Sequence, residues 1–178
     1  DLYQIQINKI CLFDISLNQT KDSIHLTHIK GNIEDLTQIK KLASEQFDII
    51  FHLAAIVSGE AEENFEKGWN VNLFSMWQLL EALKTEHFKS SKNYIPKLIF
   101  TSSIAVFGAP FPEKIDDEFL CSPQTSYGAQ KASTELLISD FSRKGFINGM
   151  SLRLPTICVR PGLPNKAASG FFSRSEEH

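Results

Sequence analysis

Short runs that are apolar throughout, separated by longer stretches with helical spacing, constrain this chain more than any other feature. Three runs have strand length and few polar interruptions: Lys9 to Asp14, Asp48 to Leu53 and Lys97 to Ser102. Residues 23–30 place Ile24, Leu26 and Ile29 among polar neighbours, and residues 150–159 form one more apolar run, broken at Pro155. Between them, Leu36, Ile39 and Leu42 recur at helical spacing in 33–46, as do Val71, Leu73, Leu79, Leu80 and Leu83 in 60–90. Pro96 stops the second of these helices, and Gly145 caps a third over 124–144. The order β-β-α-β-α-β-α-β predicts an α/β fold with a parallel sheet covered on both faces. Ligands of such sheets sit at the carboxyl ends of the strands. The informative residues are therefore Asp14, 53–57, 102–108 and 154 onwards.

The 178 residues, 42% of them hydrophobic, suffice for one domain with a substantial core. Eighteen Lys and Arg face 21 Asp and Glu without a basic block, which argues against a nucleic-acid or membrane-surface partner. Cys11, Cys121 and Cys158 are far apart and lack any CxxC spacing, as expected of reduced thiols rather than of bridges or zinc. His25 and His28, three apart on an expected strand, fall on opposite faces, so no metal site is predicted. No apolar run approaches the ~18 residues needed to cross a bilayer. A cytoplasmic chain is expected. It opens at Asp1 and closes on a polar tail, Ser173 to His178, as a piece of something longer would.

The chemistry concentrates in Tyr127-Gly128-Ala129-Gln130-Lys131, preceded by the strand end Thr101-Ser102-Ser103. Tyr127 is the one tyrosine of three with lysine four residues on, where a helix places both on one face. A free phenol titrates near 10, leaving only about one in a thousand ionised at neutral pH. An adjacent ammonium favours the phenolate. The pair makes a general base for a substrate alcohol, with Ser103 to orient the hydroxyl. The bland alternative is a surface pair on a helix.

These residues resemble the extended short-chain dehydrogenase/reductases, the NAD-dependent epimerase/dehydratase superfamily, over nearly all of residues 9–172. The hydroxyl-x-x-Val-Tyr-Gly of that family stands here as Ser103-Ile104-Ala105-Val106-Phe107-Gly108, with Phe107 in place of tyrosine. The resemblance implies a Rossmann-like doubly wound sheet, a catalytic set of Ser103, Tyr127 and Lys131, and NAD as cofactor. Asp14 ends a strand where the family holds the adenine ribose, and no arginine follows it to take a 2′-phosphate. Asn32 and Ile33 in Gly31-Asn32-Ile33 fall at the adenine, with Asn where the family has Asp. Leu53, Ala54 and Ala55 follow His52 along the cofactor, Asn72 matches the helix asparagine, and Pro155 follows Arg153-Leu154 on the strand beside nicotinamide.

The absence of Asp-Glu after Ser103 disfavours sugar dehydration, since Ile104-Ala105 carry no proton. The stretches 52–60 and 151–173 resemble family members that oxidise the C2 hydroxyl of a D-erythronate-like sugar acid. In that case Arg160 clamps the carboxylate, whose geometry a guanidinium matches, and Ser58 and Asn165 line the same pocket. Plainer readings stand beside these. Asp14 can cap a turn, Asn32 can be a helix N-cap, His52 can be a satisfied core histidine and Arg160 a surface loop arginine. A buried Asn72 must find partners.

The family's phosphate-binding glycine loop lies between its first strand and first helix, yet the first glycine here is Gly31. In the strand order 3-2-1-4-5-6 the missing first strand lies at the centre of the sheet. Its absence is expected to leave the first two strands of this chain unattached to the rest. Most of the C-terminal substrate lobe is missing as well. The resemblance implies a partial NAD-binding domain over 1–159 and the start of a substrate region and tail over 160–178. Three readings remain: a dehydrogenase of sugar acids, homodimeric or not in its full-length form; an epimerase of sugar nucleotides; and a non-catalytic fragment or partner-binding module.

Overall fold

A computed structural model describes residues 6–17, 25–116 and 118–156. The described residues form five strands: β1 (Ile10–Asp14), β2 (Leu26–Lys30), β3 (Ile49–His52), β4 (Lys97–Ser103) and β5 (Asn148–Leu154). All pairings are parallel. They form two separate sheets among the described residues, one of β1 and β2 and one ordered β3-β4-β5. The split falls where the expected order lacks its central strand.

Helix α1 (Leu36–Ser44) joins β2 to β3. Its N-cap is Asp35, whose carboxylate accepts from the amides of Thr37 at 2.9 Å and Gln38 at 3.3 Å. Asn32 therefore does not cap the helix; its side chain accepts from the Glu34 amide one turn earlier. Helix α5 (Ser126–Arg143) is capped by Thr125 through the Gly128 amide. It ends as expected at Gly145, whose φ of +77° suits a residue without Cβ.

The single helix expected over 60–90 is instead α2 (Ser58–Glu63), α3 (Phe65–Trp69), a π turn (Asn70–Phe74) and α4 (Ser75–Lys89). The break lies at Asn64, whose ψ of 75° is not helical. The π turn is tied across to α5, where the Thr134 hydroxyl donates to the Asn72 carbonyl at 3.0 Å. Periodicity cannot register either event, because the apolar face continues through both.

Met76, Leu79, Leu80 and Leu83 of α4 are buried with Leu98 and Phe100 of β4 and Ile138 and Phe141 of α5. Ile39 and Ala43 of α1 belong to the same cluster, with Phe13 and Ile33 packed against it, which is what attaches the two-stranded sheet. The second face is another matter. Ile10, Leu12, Phe51, Met150, Leu152 and Leu154 stay exposed, Phe51 at 63%. Among the described residues one face is covered, although the strands carry apolar residues on both.

No helix of the described residues is long and apolar enough to cross a membrane.

Candidate active site

The pleat gives the two hydroxyls at the end of β4 different roles. Ser102 is buried and hydrogen-bonded to the carboxylate of Glu135 on α5. Arg153 of β5 closes on the same carboxylate, with Nε at 3.2 and 3.1 Å from its two oxygens and Nη2 at 2.8 Å. Its guanidinium also lies over the Phe107 ring. Ser102 is committed to that half-buried pair. Ser103, on the opposite face, is half-buried, and its hydroxyl accepts from the Ala105 amide at 3.1 Å.

Tyr127 and Lys131 stand one turn apart at the start of α5. Gly128 lets that turn approach the strand end, since a Cβ there would collide with the backbone carbonyl of Ala105. Gly128→Ala gains helix propensity but must displace backbone. It is expected to cost about 1–3 kcal/mol as overpacking does, measurable by urea unfolding. A variant as stable as the parent would show that the contact yields freely.

Lys131 is 2% exposed. Its ammonium donates to the Thr101 carbonyl at 2.8 Å and lies 4.5 Å from the Phe100 ring centroid and 5.5 Å from that of Tyr127. Burial pushes it down to about 8. At neutral pH it therefore still carries its charge, beside Tyr127 as the spacing predicted. His52 is fully buried against Phe100, and its pKa is lowered to about 4, by burial first and the Lys131 charge second. It is a core histidine but not a satisfied one: neither ring nitrogen has a hydrogen-bond partner among the described residues.

The cofactor-side residues fall into three groups. Asp14 ends β1 beside Gly31, whose amide donates to the Asp14 carbonyl at 2.9 Å, so Asp14 and Asn32 are neighbours. One Asp14 carboxylate oxygen accepts from the Ser16 amide at 2.8 Å, the turn-capping contact. Ile33 is half-buried against the core. Leu53, Ala54 and Ala55 are exposed in the segment after β3, and Ser58 opens α2. Asn72, 2% exposed, accepts from the Ile56 amide at 2.9 Å and donates to Gln130 at 2.7 Å, so the buried amide has its partners. Pro155 is exposed just past β5. Arg160 and Asn165 lie outside the described residues. Sequence reasoning missed Glu135 and Gln130, whose partners are remote in the chain and leave no local pattern.

The model of the NAD dependent epimerase/dehydratase family matches residues 13–174. The chain belongs to that family. D-erythronate dehydrogenase of Cupriavidus necator is 41% identical over 95% of this chain and 50% of its own length. D-erythronate dehydrogenase of Haemophilus influenzae is 47% identical over 80% of the chain and 43% of its own. Among solved structures, a nucleoside-diphosphate-sugar epimerase from Agrobacterium tumefaciens superposes with a TM-score of 0.85 at 49% identity, covering 93% of this chain and 48% of that one. The chain spans about half the length of the relatives it matches.

Proposed function

We propose that this chain carries the proton-transfer group and much of the cofactor-facing surface of an NAD-dependent dehydrogenase acting on the C2 hydroxyl of a D-erythronate-like sugar acid. The observation that carries the reading is Lys131, 2% exposed, with its ammonium 5.5 Å from the Tyr127 ring centroid. Burying a lone ammonium costs stability, so its retention beside a phenol is best explained by function.

The residues fit the two ends of a dinucleotide. Asp14 beside Gly31 and Asn32 suits a ribose and adenine, while Tyr127 and Lys131 suit the nicotinamide end. No glycine loop for the pyrophosphate occurs among the described residues. Asp14, Asn32 and Lys131 would hold NAD, which would supply a hydride acceptor for the carbinol carbon. Tyr127 takes the hydroxyl proton, Lys131 stabilises the phenolate and Ser103 orients the alcohol. Arg160, with Ser58 and Asn165, is assigned to the sugar acid by the family resemblance.

The test is to mix a full-length protein that carries these residues with NAD and D-erythronate and follow formation of NADH. Net NADH formation supports the reading. Epimerisation of a sugar nucleotide without net NADH would support the alternative, which the likeness to the Agrobacterium structure favours. NAD binding with neither activity would overturn both.

A further inference from the structure

We propose that Gln130 is a positioning residue: through Asn72 it holds the backbone of Ile56 and so fixes the segment that follows β3. Only the assignment of that segment to the cofactor side rests on the dehydrogenase reading.

The orientation of the network follows from one backbone group. The Ile56 N–H can only donate, so the acceptor facing it at 2.9 Å must be Asn72 Oδ1. Asn72 Nδ2 is thereby turned inward, where it needs acceptors. The Ile56 carbonyl lies at 3.3 Å and Gln130 Oε1 at 2.7 Å. Gln130 is thus the closer partner, and it is completely buried. The Thr134 hydroxyl, 3.0 Å from the Asn72 carbonyl and 2.9 Å from that of Gln130, locks the π turn to α5 beside this contact.

Space has been left for the Gln130 side chain. A Cβ on Gly68 of α3 would lie 2.5 Å from Gln130 Nε2, so the absence of a side chain there makes room for the amide. Nε2 itself has no hydrogen-bond partner among the described residues. Burying such a group costs free energy, and the acceptor oxygen is what the site gains from it.

The consequence reaches the strand end. Residues 53–55 are exposed and lie outside helices and strands, and Ile56 is tied to the body of the molecule by the two Asn72 bonds. The helix that carries Tyr127 and Lys131 therefore also sets the loop after β3. Gln130, between those residues in sequence, couples the two.

The test uses the whole chain and Gln130→Met, which keeps length and apolar bulk but removes the acceptor. Amide hydrogen exchange is read at Ile56 and, as a control, at Ala43 in α1, with NAD affinity measured in parallel. The expected result is exchange about tenfold faster at Ile56, the loss of one buried hydrogen bond, with Ala43 unchanged and NAD binding about tenfold weaker. Gly68→Ala, which crowds Nε2 without removing it, should move both readouts in the same direction by less. It decides the question if Gln130→Met does not fold. Unchanged exchange at Ile56, or equal acceleration at Ala43, would overturn the proposal. So would faster exchange at Ile56 with unaltered NAD affinity, since the contact would then be structural only. If the parent chain binds no NAD, the dehydrogenase reading fails, while the exchange at Ile56 still decides whether Gln130 holds the loop.

Discussion

Tyr127→Phe is expected to lower NADH formation by about 10²–10⁴-fold, the range over which a positioned general base contributes. The substitution removes one oxygen and keeps the ring, so the ring that faces the Lys131 ammonium at 5.5 Å is preserved. NAD affinity should therefore change far less than turnover. That split separates loss of a proton acceptor from loss of a binding surface. Steady-state rates at saturating NAD, together with a thermal shift on adding NAD, provide both readouts. Full activity in Tyr127→Phe would remove Tyr127 from the mechanism.

Lys131→Met is expected to make the protein more stable while abolishing turnover. The Lys131 ammonium is held at about 8 in the fold against 10.5 for a free lysine, with burial as the cause. Its folded value is depressed, so the unfolded chain binds the proton more tightly between these two values. Stability consequently rises with pH across that window, and the cost of burial is fully present below pH 8. Each tenfold weakening of proton binding corresponds to about 1.4 kcal/mol. Methionine is apolar and similar in reach, but it leaves the Thr101 carbonyl without its 2.8 Å donor, which offsets about 1 kcal/mol of the gain. The expected net gain at pH 7 is about 2–3 kcal/mol. It should shrink as pH approaches 10. Urea unfolding of both proteins at the two pH values measures it. A variant less stable than the parent at pH 7 would mean that the cation's contacts with Thr101 and the Phe100 ring outweigh its desolvation. Gain of stability with loss of activity is the outcome expected where function retains a destabilising group.

Much of this molecule could be read from local patterns. Apolar runs of strand length located β1, β3, β4 and β5, a mixed polar and apolar stretch located β2, Gly145 marked the end of α5, and the Tyr127–Lys131 spacing alone placed both groups on one helix face. Even the separation of β1 and β2 from the other strands followed from the want of a glycine loop before Asp14. These features depend on residues a few positions apart, where backbone geometry makes spacing and structure equivalent.

The rest depended on contacts between distant residues. Spacing could not say that Ser102 would be taken by Glu135 and Arg153 while Ser103 was not, because that depends on how β4 pairs with β5 and which face α5 covers. Nor could it show the break at Asn64, the π turn, or that Gln130, one letter within a recognisable motif, reaches Asn72 and through it Ile56. A side chain's partner is set by packing across elements, and a buried amide joined to a residue 58 positions away leaves no periodic trace in the chain. Local patterning in the sequence was enough to locate the strands and to put Tyr127 and Lys131 on one helix face. Which polar groups are already committed to one another was decided only when those elements packed together.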